Sequence, residues 1–412
     1  MGCTHSMYKK KKSTIHEVVV LTPSIRIPVQ SDLQRSLKGL IPKDLADKLS
    51  SLRNQIVLVA EDTDGSAIAE LRRALNEYLS VLIGLTKKEY GLEGLMEFKW
   101  KNFEDGRQQD SSIANVWFEV LSSVHFMAML TLSEADSLLI PKDHSDSGFR
   151  VVSSDSKREA VDLLIKASGY LEFCVRQILP QIPFETRKVL PHDLQEGVLE
   201  AIAIQALGQG TEIQLGLAVE SQKATLSVKR RLACEQLIYF TQAYHCLSGC
   251  DFNQGHGKKH LRFIKWKFLE SKAAAYYYHG LILDKGNEPS CHIVAVSCFL
   301  AADELLAESK KACLSFCLAA PVTRAPPPWG VMKLLHLKIP EVASKKYQMY
   351  GYLLEQEKGL QALPDLPEFQ LSLHPDDYEL PEIDPAWDTK NWETLGQPLK
   401  EHLRDNDENS TD

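Results

Sequence analysis

Long apolar patterns of helical period, joined by short connections, constrain the fold of this chain more than any other feature. The clearest pattern covers about residues 157–179, where apolar side chains recur at spacings of four and three: Ala160, Leu164, Ala167, Leu171, Cys174 and Ile178. Pro180 and Pro183 end it. Similar patterns predict helices at about 68–85, 112–139, 193–220, 223–247, 259–283, 291–317 and 340–359. We therefore expect antiparallel helical hairpins laid side by side, as in α-solenoids.

The two ends of the chain differ from this helical middle. Residues 17–29 (EVVVLTPSIRIPV) are rich in β-branched residues and contain two prolines, which indicates an edge strand. From Leu363 to about residue 400, prolines punctuate an acidic stretch, for which we expect an extended segment that packs on the helices. Residues 401–412 are expected to form a disordered acidic tail. The predicted organisation is an anchor at 1–15, one domain at 16–400 and a tail at 401–412.

The first six residues, MGCTHS, fit the pattern M-G-x-x-x-[ST], in which Gly2 becomes the N-terminus and receives a myristoyl chain. One myristoyl chain binds a membrane only marginally, so stable anchoring needs a second signal. Cys3 is a candidate for palmitoylation, and anionic lipid attracts the basic run that follows: Lys9, Lys10, Lys11 and Lys12. The sequence therefore predicts a lipid anchor and an anionic membrane surface as a partner. The alternative is a basic N-terminus that is never acylated.

The composition argues against several other classes of protein. A net charge of −8 disfavours nucleic-acid binding, which needs a basic face. The best candidate for a membrane span, at about 114–132, contains Glu119, Ser122, Ser123 and His125, and we interpret it as a buried helix. The nine cysteines follow no secretory signal, and we interpret most of them as buried thiols.

Enzyme signatures are missing from the sequence. It contains no G-x-S-x-G, no H-E-x-x-H and no Walker motif, so we expect neither an enzyme, nor a cofactor, nor a small-molecule substrate. One short window holds zinc-ligand residue types: Cys246, Cys250, His256 and His260. The spacing between its two pairs is shorter than a zinc finger requires, which favours a helix end followed by a basic turn. A zinc-dependent enzyme that uses this cluster is kept as an alternative.

A binding role fits residues 215–232, where apolar side chains lie among cations. Val228 and Leu232 are four residues apart and share one helix face, close to Lys229, Arg230 and Arg231. Apolar side chains bordered by cations suit an amphipathic partner helix with acidic flanks. The alternative is that these apolar residues pack in the core, because a core stripe has the same pattern.

Four stretches of the chain resemble the Bro1 domain family. They are residues 18–28, with LTPSIRIP; the aromatic helix that begins Val116-Trp117-Phe118-Glu119; residues 157–169; and residues 212–240. The resemblance covers about residues 16–400 and is closest to short, lipid-anchored, Brox-like members of plant type. It implies a mostly α, elongated and curved domain with tetratricopeptide-like antiparallel hairpins and a small N-terminal β-sheet.

The resemblance also implies a partner. Members of the family bind the C-terminal amphipathic helix of an ESCRT-III filament subunit in a hydrophobic patch on the concave face. Carried over by position, the apolar contacts fall on Leu215, Val228 and Leu232, and a basic contact on the preceding helix falls on Arg158. This implies a non-enzymatic adaptor of endosomal sorting on the cytosolic face of an endosomal or plasma membrane. A lipid-anchored helical scaffold for some other peptide is the alternative.

Overall fold

The computed structural model of the 412-residue chain describes residues 18–23, 25–61, 67–102, 110–143, 150–250, 256–323, 330–356 and 363–388. The helices in these residues are α1 (Leu33–Ser36), α2 (Lys43–Glu61), α3 (Ala67–Leu82), α4 (Val116–Leu138), α5 (Ser154–Phe173), α6 (Phe184–Lys188), α7 (Glu196–Glu220), α8 (Leu226–Ser248), α9 (His256–Leu283), α10 (Pro289–Leu318) and α11 (Gly330–Gln356). The strands are β1 (Arg26–Pro28), β2 (Phe98–Asn102), β3 (Asp110–Ile113), β4 (Lys142–Asp143) and β5 (Arg150–Val151). The predicted fold class, mostly helical with a small antiparallel sheet near the N-terminus, is confirmed.

The sheet is joined to the first long helices by a buried carboxylate. Strands β1, β2 and β3 pair antiparallel in that order. Glu119 of α4 accepts from Arg53 of α2 and from the hydroxyl of Tyr78 of α3, both at 2.8 Å, through one oxygen. Its second oxygen accepts from the indole N–H of Trp100 of β2 at 2.6 Å. Burial tends to lower the pKa of Arg53, but Glu119 and Tyr78 together outweigh this effect, and the pKa is raised. These donors compensate the loss of hydration of a charge in the core.

Each long helix packs mainly on its neighbours in the chain. The successive pairs run from α4 with α5, through α5 with α7, to α7 with α8, α8 with α9, α9 with α10 and α10 with α11. Early in α9, Arg262 donates to the carbonyl of Ser315 in the last turn of α10, as expected for antiparallel helices. Helices α7 and α8 approach closely at Gly208, where an added Cβ would lie 3.2 Å from Tyr239 and from Phe240. The absence of a side chain at Gly208 permits this close crossing of the two helices.

Two predicted helices differ from the observed ones in their bounds. Helix α11 contains Pro340 rather than beginning there, and Leu335 and Ile339 before the proline are buried against the preceding helices. An interior proline costs about 3 kcal/mol, and fully burying two such aliphatic side chains offsets this with about 1.5–3 kcal/mol each. The helix predicted to end near residue 179 leaves α-helical geometry at Phe173, and a π-helical turn covers Cys174–Ile178. Helix α2 was not predicted.

Residues 363–388, which we call the C-terminal strap, take an extended path across the helices. The hydroxyl of Tyr239 of α8 donates to the Leu373 carbonyl at 2.6 Å, and the indole N–H of Trp387 donates to the Val81 carbonyl at 2.8 Å. Between them, the Asp376 N–H donates to the Ile165 carbonyl of α5. The strap therefore contacts α8, α5 and α3 in turn. The boundaries at 15 and 400 stay predictions, because residues 1–17 and 389–412 lie outside the described residues.

Two helices of the described chain are long and apolar enough to cross a membrane, by length and composition only. Helix α4 has a mean hydropathy of 1.4 over its most apolar window, and 89% of that window is buried inside the protein, which agrees with its interpretation as a core helix. The corresponding window of α10 has a mean hydropathy of 1.5 but is only 39% buried. More than half of the residues in that window are therefore not fully buried.

His125 in α4 provides a pH-dependent test of this core. Both ring nitrogens are buried without a hydrogen-bond partner in the described part of the chain, and burial lowers the pKa of His125 from 6.5 to about 4. The unfolded chain therefore binds this proton at a higher pH than the folded chain. Above about pH 6.5, His125 therefore does not lower the free energy of unfolding. As the pH falls below this value, the free energy of unfolding decreases, by about 3 kcal/mol at pH 4.

We expect His125→Met to show a smaller loss of unfolding free energy than the wild type between about pH 7 and pH 4.5, because methionine does not titrate. Urea unfolding at several pH values in this interval measures the difference. An equal pH dependence of the two proteins would contradict the prediction.

Candidate partner-binding face

The first turns of α8 present two of the three predicted apolar contacts. Thr225 caps the helix, and its hydroxyl oxygen accepts from the N–H of Val228 at 3.4 Å. The side chain of Val228 is 44% exposed. Leu232, one turn later, is half-buried. Its covered part packs on the core that helices α7 to α11 form together. We call Val228, Leu232 and the neighbouring Lys229 the α8 face.

Leu215 does not belong to this face. Its side chain is fully buried in the same core, whose members include Ala233 of α8 and Phe299 of α10. In this structure Leu215 cannot touch a partner, and the prediction of a direct contact there is corrected. The residue instead supports the inner side of α8, which carries the exposed Val228.

The cations after Val228 connect α8 to neighbouring elements. The guanidinium of Arg230 lies 5.8 Å from the centre of the Phe369 ring and 3.5 Å from Nδ1 of His279 in α9. Arg231 donates to the carboxylate of Glu235 at 2.6 Å and to the Gln370 carbonyl at 3.3 Å. Arg230 and Arg231 therefore hold the C-terminal strap beside the α8 face instead of pointing freely into solvent.

Glu235 fixes the strap at this place. The carboxylate is fully buried, and its second oxygen accepts from the backbone N–H of Ser372 at 2.9 Å and from the Ser372 hydroxyl at 2.5 Å. Two half-buried apolar side chains of the strap, Leu366 and Phe369, pack on the same core as Leu232. Sequence reasoning did not find these neighbours of the site. The only signal for them was an apolar pair three residues apart in a proline-rich stretch.

Arg158 lies in the first turns of α5, near the connection between α7 and α8. Its side chain is 68% exposed and pairs with Asp155 at 2.9 Å. The adjacent Lys157 is buried and binds Glu220, the last residue of α7, at 2.7 Å. Helix α8 begins six residues after Glu220, so α5 and α8 both begin beside the end of α7. An exposed pair such as Arg158–Asp155 contributes little stability, so a partner carboxylate can replace Asp155 at small cost.

Two of the four zinc-ligand residue types, Cys246 and His260, contact other side chains. Cys246 lies 3.8 Å from a carboxylate oxygen of Glu200, and Nε2 of His260 lies 2.7 Å from the amide oxygen of Gln205 in the core. Burial lowers the pKa of His260 to about 3. The side chain of His256 lies outside the described residues. Among the side chains that the structure describes, no group of three or more His, Cys, Asp or Glu residues is placed to hold a metal ion.

The predicted anchor falls outside the described residues altogether, and this applies to Gly2, Cys3 and the basic run Lys9, Lys10, Lys11 and Lys12. The first described residues nevertheless show where the N-terminal part of the chain meets the helices. The carbonyl of Val19 accepts from the side-chain amide of Gln209 at 2.6 Å, and the carbonyl of Leu21 accepts from Gln205 at 2.9 Å. The chain therefore enters the domain along α7.

The fold and the sequence together define the class of this protein. A family model described as BRO1-like domain matches residues 10–325, and the chain belongs to this family. The BRO1 domain-containing protein BROX homolog of Caenorhabditis elegans is 24% identical over an alignment of 231 residues, and the match covers 52% of this chain and 51% of that protein. The chain thus spans about half the length of the curated relative that it matches.

Solved structures of the family share the architecture. ALIX in complex with the SIVmac239 PYKEVTEDL late domain has a TM-score of 0.64 at 15% identity, covering 89% of this chain and 50% of that chain. The ALIX BRO1 domain in complex with CHMP4C has a TM-score of 0.63 at 15% identity, covering 92% and 100%. A Bro1 domain studied for endosomal targeting has a TM-score of 0.55 at 14% identity, covering 95% and 98%. At these identities the likeness shows the fold alone.

The different burial of Leu215 and Val228 predicts different effects of truncation. We expect Leu215→Ala to lower the free energy of unfolding by about 2–5 kcal/mol, because it leaves a cavity in the core. Val228→Ala should change it by no more than about 0.5 kcal/mol, since this residue is 44% exposed rather than enclosed in the core. Denaturant unfolding of both variants measures the contrast. Equal losses would mean that Val228 is a core residue and that α8 has no exposed face here.

Proposed function

We propose that this protein is a non-enzymatic, membrane-anchored adaptor of endosomal sorting, and that its α8 face binds the C-terminal amphipathic helix of an ESCRT-III subunit. The observation that carries the proposal is an exposed apolar side chain, Val228, one turn before the half-buried Leu232 on a helix start bordered by cations. The complex of the ALIX BRO1 domain with CHMP4C supports it, because that protein has the same fold.

The chemistry of the α8 face suits a short amphipathic helix. Val228 and Leu232 offer one turn of apolar surface, which matches apolar side chains at spacings of three or four on a partner. Lys229 lies between them in sequence, and Arg158 lies at the start of α5, so acidic flanks of the partner meet positive charge. Two apolar anchors give modest affinity in solution. A lipid anchor raises it by increasing the effective concentration at the membrane, where ESCRT-III filaments assemble.

We expect Val228→Asp to weaken binding of a fluorescent peptide with the sequence of an ESCRT-III C-terminal helix by at least about tenfold, because the new carboxylate must be desolvated in the contact. Val228→Asp combined with Leu232→Asp should abolish binding. Fluorescence anisotropy measures the affinity, and thermal unfolding shows that each variant stays folded. Val189→Asp is the matched control, since Val189 is 68% exposed and lies before α7, away from the α8 face.

Binding that survives the double substitution would assign the partner helix to another face. If Val189→Asp lost as much affinity as Val228→Asp, the effect would come from added negative charge in general. If the wild type bound other amphipathic helices as tightly as those of ESCRT-III subunits, the broader alternative of a scaffold for peptides of this kind would replace the proposal.

The membrane part of the proposal depends on Gly2. We expect Gly2→Ala to move the protein from the membrane pellet to the supernatant of fractionated cells, because acylation requires the glycine. Cys3→Ser should give an intermediate distribution, since one myristoyl chain alone binds only marginally. Quantitative immunoblotting of the fractions measures both effects. A distribution that is unchanged in Gly2→Ala would refute acylation as the anchor.

A further inference from the structure

A groove between α9 and α10 concentrates positive charge on a chain that is acidic as a whole. Arg262 and Lys265 of α9 face Lys311 and Ser315 of α10 across a cavity of about 370 Å³, and Glu308 is the acidic residue in its lining. Arg262 is fixed there, because it donates to the Ser315 carbonyl at 3.0 Å. We call Arg262, Lys265 and Lys311 the basic groove.

Exposed apolar side chains follow directly on the basic groove. Leu314 and Leu318 lie in the last turns of α10, and Val322 follows the helix; their exposed fractions are 56%, 73% and 73%. Leu314 and Leu318 are therefore apolar side chains that α10 leaves uncovered near its end. Exposed aliphatic side chains that neighbour cations are typical of surfaces that lie in the interface of an anionic membrane.

The start of α9 connects this surface to the entry point of the N-terminal segment. Lys259 donates to the Ala319 carbonyl at 3.4 Å and to the Thr323 hydroxyl at 3.3 Å, just beyond the end of α10. The next residue, His260, bonds Gln205, which in turn donates to the Leu21 carbonyl. Covalent geometry lets the segment from Gly2 to Val18 span at most about 60 Å. A lipid on Gly2 can therefore enter a membrane that also touches this end of the domain.

We propose that the basic groove, together with Leu314, Leu318 and Val322, contacts the anionic phospholipid surface of the membrane that holds the N-terminal lipid. The groove cations pair with lipid phosphates and carboxylates, and the aliphatic side chains enter the interface beside them. The role of the N-terminal lipid rests on the proposed function; the groove contact does not. Charge complementarity favours a lipid surface, because three cations face one carboxylate in a protein of net charge −8.

This membrane contact leaves the α8 face accessible. Arg230 in the early turns of α8 contacts His279 near the end of α9, whereas Arg262 lies near the beginning of α9. Positions 262 and 279 are 17 helical steps apart, which corresponds to roughly 25 Å along the helix. The two surfaces therefore lie toward opposite ends of the α8–α9 hairpin.

The test measures binding of full-length Gly2→Ala protein, which has no acyl chain, to vesicles of phosphatidylcholine with about 30% phosphatidylserine and to vesicles of phosphatidylcholine alone. We expect Lys265→Gln with Lys311→Gln to lower the partition onto the anionic vesicles by about thirtyfold, because each cation near such a surface contributes about 1 kcal/mol. Leu314→Ser with Leu318→Ser should lower it as well. Both lysines and both leucines are exposed, so the variants should keep the fold.

The matched control is Lys43→Gln with Lys88→Gln, which removes the same charge from exposed positions at the start of α2 and after α3. It should bind vesicles like the parent, and all variants should bind the ESCRT-III helix peptide with unchanged affinity. The proposal is overturned if the groove variant partitions like the parent, or if the control loses as much. Sedimentation that shows a self-associated protein, made monomeric by Leu314→Ser with Leu318→Ser, would instead assign this face to a contact between two copies.

Discussion

The candidate site depends most on the hydrogen bonds that the buried carboxylate of Glu235 accepts. It accepts from Arg231 on its own helix and from the backbone and hydroxyl of Ser372 in the C-terminal strap. A carboxylate without water costs several kcal/mol unless donors replace its hydration, and here three donors do so. The helix that carries Val228 and Leu232 is thereby fastened to a segment more than a hundred residues away in sequence. This junction and the packing of α8 on α7 and α9 together set the position of the α8 face.

The strap gives the helical array contacts that a solenoid does not otherwise have. In an array where each helix contacts only its neighbours, stability is a sum of local terms and the hairpins can shift relative to one another. The strap adds contacts to α8, α5 and α3 in one extended run. Two glycines make room for it, because a Cβ on Gly169 would lie 2.2 Å from the Asp376 carbonyl oxygen and one on Gly84 would lie 2.0 Å from the Trp387 ring. Such close contacts fix the strap in register along the helices.

The sequence predicted the helices better than the site, and the reason is physical. A period of 3.6 residues records which side of a helix is apolar, and this placed α7 to α10 within a few residues. The same period cannot show whether a later helix covers that side. Leu215 and Val228 therefore looked alike in sequence, although one is fully buried and the other is 44% exposed. Pro340 was misleading for a related reason, because burial of its neighbours against α10 outweighs the local penalty of a proline.

The strap and Glu119 mark the other limit of sequence reasoning. An extended segment has no period, so its partners follow only from the shape of the surface on which it lies. Glu119 stands in a strongly apolar helix, where composition suggests that a carboxylate does not belong. Its three donors come from α2, α3 and β2, and no local sequence pattern predicts that these separate elements meet at Glu119. Buried polar groups are specified by tertiary structure, and their partners become visible only in the fold.

The α8 face and the basic groove, as proposed, would act together at a membrane. The α8 face has only two apolar anchors and the basic groove only a few cations, so each is weak as an isolated binding site. An N-terminal lipid would already hold the protein at the membrane, so both contacts would form at a high effective concentration. Their free energies would then add without a further loss of translational freedom. Orientation follows as well. With the groove near one end of the α8–α9 hairpin on the lipid, the α8 face stands roughly 25 Å along α9 from it, where a helix from a membrane-bound filament can reach it. A lipid tether alone would leave the domain free to rotate and would present this face only part of the time.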